Sequence, residues 1–275
     1  MSTTRVEGPR GSMTIEAQRG AKITSLRGVD GTEWLTTEPR RRVELPGRYG
    51  FTEAEMCGWD ECAPTIDAAT LADGRELSDH GDVWDVPWQV LHQTDDEVVL
   101  EVVVDRLGFA LRRRAAATST GFVLEYEARA TDERSLPWLW AAHPQFAAPD
   151  DLVVEVPGLE RVRQVYPPDA TGDDRPFAPI AAPITASAKY WAVAPALPPG
   201  AVLRRGEACL ELRWSGEALR GLALWLDSGD VADHRCVAVE PATGRGDRVS
   251  DLTTPAEVAL LEAGNPLSWR LELHL

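Results

Sequence analysis

The chain has 275 residues, 44% of them hydrophobic, with 28 Lys+Arg against 44 Asp+Glu and a formal net charge of −16. That is enough apolar material for a sizeable core in one large β domain or two smaller ones. The acidic balance argues against nucleic acid and anionic membrane surfaces as main partners, and no run approaches the roughly 20 apolar residues of a membrane span.

Residues 1–12 read as a flexible N-terminus, polar and without the apolar stretch of a secretory signal. From 13 onward strand signals dominate. Segments 13–17 and 22–27 are short extended candidates split by Gly20, followed by a turn at Asp30-Gly31. Segments 98–105, 109–117 and 122–130 are separated by Leu107-Gly108 and Thr120-Gly121, which is the pattern of a β-meander. Segments 153–156, 202–203, 209–214, 222–226, 235–240 and 268–275 continue the series. One short helix is expected at 257–262, capped by Thr254 before Pro255. Segments 57–88 and 167–183 lack periodicity and read as long loops, which in a compact domain are often functional. With no linker and no internal repeat, the expectation is one all-β domain over 13–275, an antiparallel sandwich with long loops.

Cys57, Cys62, Cys209 and Cys236 show no CxxC pairing, so reduced thiols in a cytoplasmic protein are expected. Lys22 and Lys189 are the only lysines, which reads as compositional bias.

Two segments carry candidate chemistry. Trp138-Leu139-Trp140-Ala141-Ala142-His143-Pro144 and Val237-Ala238-Val239-Glu240-Pro241 each read as an apolar strand stopping at a proline, with an ionisable residue just before it. On period two, His143 shares a face with Ala141 and Leu139, and Glu240 with Ala238 and Cys236, so both look onto small side chains that leave room for a ligand. An acid and a base on two such rims suit proton transfer to and from one small molecule. Either residue alone has a plainer structural reading.

The first loop holds Gly58-Trp59-Asp60-Glu61 and Asp79-His80-Gly81-Asp82-Val83-Trp84. Tryptophan faces can cover the C–H faces of a sugar while carboxylates and histidine serve its hydroxyls; the plainer role of each tryptophan is to pin the loop to a sheet. Two arginine runs, Arg40-Arg41-Arg42 and Arg112-Arg113-Arg114, read as a solvated face, with a pocket for an anionic sugar as the alternative. On a strand Arg112 and Arg114 share a face and Arg113 points away.

Taken in order, Thr14-Ile15 to Leu26 with Gly31-Thr32-Glu33-Trp34-Leu35, then Asp79-His80-Gly81-Asp82-Val83-Trp84, then Tyr126 to Asp132 leading into Ala142-His143-Pro144-Gln145-Phe146, and finally Glu240-Pro241-Ala242-Thr243-Gly244 resemble the galactose mutarotase-like superfamily, which includes the aldose 1-epimerases. The resemblance covers roughly 13–275. It implies an antiparallel β-supersandwich binding a pyranose in an open cleft, with no cofactor and no metal. It implies Glu240 as general base on the anomeric hydroxyl, His143 as general acid on the ring oxygen, and His80 as a group holding that oxygen. The Asn-Arg pair of many members is replaced here by Gly58-Trp59-Asp60-Glu61. Trp59, Asp60, Glu61, Asp82 and Trp84 are therefore the expected substrate-binding residues. The expected partner is a small-molecule aldose, to a monomer or homodimer, with no nucleic acid and no membrane.

Other classes remain open. His80-x-Asp82 with a distal His143 matches a 2-His-1-carboxylate iron site in form, but leaves Glu240 unused and lacks the arginine expected after the distal histidine. A sugar-binding or regulatory protein on the same fold is a further alternative. A glycan lyase or hydrolase is a third, for which the chain is short.

Overall fold

The computed structural model describes residues 3–37, 50–54, 56–167, 169–170 and 172–275. Arg40-Arg41-Arg42 lies outside the described residues. Regular structure among them is β-strand, apart from two three-residue 3-10 turns at Phe51–Glu53 and Val249–Asp251. None of the described helices is long and apolar enough to cross a membrane.

Alternation drives the strands. In Glu97–Val104 the side chains of Val98, Leu100 and Val102 are buried and their neighbours are more open, the period of a strand with one buried face. The expected meander is present: Glu97–Val104, Phe109–Ala117 and Gly121–Ala130 pair as consecutive antiparallel neighbours. They belong to a nine-stranded antiparallel sheet that also contains Gln89–Gln93, Leu267–His274, Ala208–Ser215, Gly200–Arg205, Leu152–Glu155 and Ile180–Ala181.

The second sheet has eleven strands. Its path runs from Thr3–Gly8 through Gly11–Glu16, Lys22–Gly28, Trp59–Cys62 and Ala141–Pro144 to Arg235–Ala242, Gly221–Ser228 and Ala188–Ala192, and ends at Arg161–Tyr166 and Asp174–Pro176. The two sheets face one another across a single apolar cluster that includes Met13, Ile15, Ile23 and Val239 from the larger sheet and Leu100, Leu111, Leu124 and Leu271 from the smaller.

Three expectations are corrected. Residues Thr3–Gly8 are an ordered edge strand paired with Gly11–Glu16 rather than part of a flexible terminus, because Thr4 and Val6 alternate into the core. The expected helix at 257–262 is absent: Glu257 donates its backbone N–H to Thr254 in a turn, and Ala259–Leu261 pairs as a strand with Leu136–Trp138. The Thr254 cap is real but local, since the Glu257 carboxylate accepts from the Thr253 and Thr254 backbone and from the Thr254 hydroxyl. Finally, Pro144 closes its strand, Ala141–Pro144, as expected, whereas Pro241 lies inside Arg235–Ala242. Pro144 pairs with Trp59 and Pro241 with Leu222. On the side of Ala141–Pro144, Pro241 has little ladder to lose, because that strand meets Arg235–Ala242 only at Ala141↔Ala242.

The arginine run on Phe109–Ala117 splits as its period demands. Arg112 pairs with Glu101, and Arg114 with Glu97 and Glu125, on the outer face. Their guanidinium groups are spent on neighbouring strands, which corrects the anion-pocket alternative for this run. Arg113 turns inward and is fully buried.

Candidate active site

His143 lies at the end of an interior strand of the larger sheet, and Glu240 lies within the strand beside it. Ala141–Pro144 lies between Trp59–Cys62 and Arg235–Ala242. Thr243 fixes the approach of the two segments: its Oγ1 accepts from Trp140 N at 2.7 Å and donates to Trp138 O at 2.7 Å, while its N–H donates to Trp140 O at 2.8 Å. The result sets His143 Nε2 3.7 Å from Glu240 Oε1. Both side chains are nearly sealed, at 7% and 1% exposure.

They form one wall of a cleft of about 450 Å³, shared with His80, Lys189, Asp67 and Asp247 and with the apolar groups of Met56, Ile66, Val165 and Trp225. His80 reaches it from the loop. Gly81 has φ +81°, and a Cβ there would lie 2.1 Å from Ala63 O, so only glycine lets the turn dock on that segment. His80 itself sits at φ 57°, uncommon for a residue with a side chain. Its Nδ1 lies 3.1 Å from Asp79 Oδ1.

Phe51 organises the histidines. Its ring stacks on His80 with centroids 3.8 Å apart and stands edge-on to His143 at 5.2 Å. The two imidazoles are 5.7 Å apart and nearly perpendicular. Trp84 closes the cluster behind, edge-on to Phe51 at 5.1 Å, with its Nε1 donating to Asp79 O.

On the far side of Glu240 stands Lys189, from the Ala188–Ala192 strand. Its Nζ lies 3.7 Å from Glu240 Oε2 and 2.5 Å from Asp247 Oδ1. Asp247 is fixed by its backbone carbonyl, which accepts from the N–H groups of Ile66 and Asp67.

Burial dominates the protonation of the pair. It pushes the His143 imidazole well below its usual range, helped by the positive charges of His80, Lys189 and Lys22. It pushes the Glu240 carboxyl up, opposed by Lys189 and reinforced by Asp247. For Lys189 burial works against the ammonium, but Glu240 and Asp247 outweigh it and its pKa is raised. Burial thus disfavours the charged form of both groups, the imidazolium of His143 and the carboxylate of Glu240.

Three of the five expected substrate-binding residues lie behind the cleft. Trp59 is 1% exposed and packs against Phe146. Asp60 lies opposite His143 in the register, yet it is fully buried and bound to Lys22 Nζ at 2.5 Å. Glu61 points into the core, where it accepts from Arg113 Nη1, Tyr126 Oη and Trp140 Nε1 at 2.7, 2.9 and 2.8 Å. Strand alternation sends Glu61 away from the face that carries His143. Asp82 buttresses the loop instead, accepting from Ser78 Oγ at 2.6 Å and pairing with Arg106. Trp84 supports Phe51, in line with the plainer loop-pinning role. Trp88 does the same, with its Nε1 donating to Val83 O.

The groups missed in the sequence are Phe51, Asp67, Lys189 and Asp247. One signal was present. In a chain whose cations are nearly all arginine, the two lysines are both set against carboxylates, Lys22 against Asp60 behind the cleft and Lys189, which lines it, against Glu240 and Asp247. A compact ammonium on a slender stem can stand between two carboxylates.

No protein-family model matches the chain, and no curated protein matches it. Solved structures do. A galactose mutarotase-like protein from Lactobacillus casei is 19% identical with a TM-score of 0.73, over 99% of this chain and 100% of that one. A galactose mutarotase-like protein from Clostridium acetobutylicum is 14% identical with a TM-score of 0.72, over 98% and 94%. An Escherichia coli K12 protein described as a candidate aldose 1-epimerase is 13% identical with a TM-score of 0.75, over 99% and 98%. Over nearly its whole length, the chain shares the antiparallel β-sandwich fold of these galactose mutarotase-like structures.

Proposed function

We propose that the chain is an aldose 1-epimerase, interconverting the α and β anomers of an aldose by acid–base ring opening without a cofactor. The observation that carries this reading is the buried pair Glu240 and His143, 3.7 Å apart on the wall of a cleft of about 450 Å³, a size within the ~300–1,000 Å³ of small-molecule sites. Glu240 Oε1 has no hydrogen-bond partner among the described residues. The anomeric and ring oxygens are both bonded to C1, so the groups that serve them must converge.

In the proposed reaction Glu240, as carboxylate, takes the proton of the C1 hydroxyl. His143, as imidazolium, gives its proton to the ring oxygen. The C1–O5 bond breaks and the C1 carbonyl forms. Glu240 is now the acid and His143 neutral, which is the distribution that burial favours. Rotation about C1–C2 and reversal of both transfers close the other anomer. The pair needs one proton in total, so its titration belongs to both groups together. His80, stacked on Phe51, helps hold the ring oxygen.

The test is NMR exchange between anomers across neutral, phosphorylated, uronic and sulfonated aldoses. At least one sugar is expected to exchange faster than in buffer. If none does while one binds by calorimetry, the chain is a sugar-binding protein on this fold.

The iron reading loses support from Asp82, whose carboxylate is turned to Ser78 and Arg106, and no group of three or more ligand side chains among the described residues is arranged to hold a metal. Anomer exchange is accordingly expected to survive chelation unchanged. Loss with chelator and recovery with Fe(II) would restore the iron reading.

A further inference from the structure

Lys189 has no role in the acid–base scheme, yet it is placed with care. Its side chain is 12% exposed and stands between two carboxylates, Glu240 and Asp247. It descends from a strand that contacts Glu240 only through an intervening one: Ala188–Ala192 pairs with Gly221–Ser228, which pairs with Arg235–Ala242. Asp247 comes from a third segment and makes the shorter of the two contacts, so the ammonium is anchored on Asp247 and offered to Glu240 Oε2. That leaves Oε1 for His143.

Resting on the acid–base reading above, we propose that Lys189, clamped by Asp247, is a positioning residue for Glu240, fixing its rotamer and setting the pH window in which the Glu240–His143 pair holds a single proton. The charged and titratable groups around Glu240 are His143 from Ala141–Pro144, His80 from the loop, Lys189, Asp247, and the thiols of Cys62 from Trp59–Cys62 and of Cys236 from its own strand, which burial keeps protonated. Lys189 lowers the proton affinity of both Glu240 and His143. Asp247 raises that of Glu240. The two members of the clamp thus act in opposite directions on the same window.

The experiment compares wild type with Lys189→Met, Lys189→Arg and Asp247→Asn, each by anomer exchange against pH and by carbon-13 carboxyl titration of Glu240, assigned with Glu240→Gln. Lys189→Met should move both limbs of the rate profile upward, by on the order of one pH unit, and lower kcat at least tenfold while KM changes little. Lys189→Arg should return much of that displacement, because the charge is kept. Asp247→Asn should move the profile downward. A slower Lys189→Met enzyme with an unmoved profile would show a merely structural lysine, as would displacement of the Met and Asn variants in the same direction. If wild type exchanges no sugar, the epimerase reading fails, but the carboxyl titration still decides the clamp: opposite displacements uphold it and equal or absent ones overturn it.

Discussion

Glu240→Gln is expected to cut anomer exchange by about two to four orders of magnitude while sugar binding largely survives. The amide keeps the shape of the side chain and can still meet Lys189, but it cannot accept the anomeric proton. His143→Asn should cost a similar factor, because the ring oxygen then leaves without a proton. The two groups act in one coupled transfer, so the double variant should be little worse than the worse single one. The measurement is NMR line exchange on the sugar that passes the substrate panel, with calorimetry for affinity. Near-normal turnover in Glu240→Gln would remove Glu240 as the base. The structure then points to Asp247, which lines the cleft, and away from Asp60 and Glu61, whose carboxylates are sealed by Lys22 and Arg113.

The largest effect on stability is expected from Glu61→Leu. Arg113 and Glu61 are each fully buried and bind one another at 2.7 Å between the two sheets. Removing the carboxylate strands a guanidinium in the core and deprives Tyr126 and Trp140 of their acceptor. Breaking a buried pair from one side costs about 3–5 kcal/mol, whereas replacing both partners by apolar groups of similar volume is often neutral or stabilising. Urea unfolding should therefore show a large drop for Glu61→Leu and substantial recovery for Glu61→Leu with Arg113→Met. A double variant as unstable as the single one would mean that lost packing, not a stranded charge, is responsible.

The strands were legible where one face meets the core, because alternation of Val, Leu and Ala is then enforced by burial. The 98–130 meander is the best case. The 257–262 segment misled because a capping pattern also fits a turn, and only Leu136–Trp138, more than a hundred residues away, decides that 259–261 pairs as a strand. Pro241 misled in the same way: whether a missing N–H ends a strand depends on what the neighbouring strand needs at that point. At the site, His80, His143 and Glu240 were legible because each adjoins Gly or Pro in a recognisable motif. Phe51 and Asp247 have no such signature, and their part is created by packing. Asp60 and Glu61 misled because a pair of acids beside tryptophan looks the same whether it faces a ligand or a buried cation.

The proposed acid–base pair is carried by paired strands of the larger sheet, while part of the cleft lining comes from connecting segments: Thr52 and Met56 from one, Asp67 from a second, His80 from a third, Val231 from a fourth and Asp247 from a fifth. On the proposed reading, the proton-transfer pair and much of the surface that meets the ligand are encoded in separable parts of the chain. Drift or grafting in the connectors that leaves His80 and Asp247 in place could recast which ligand is admitted while the Glu240–His143 geometry passes unaltered from ancestor to descendant. Such a division gives one scaffold a route to many substrates, and it makes the connectors the place to begin redesign.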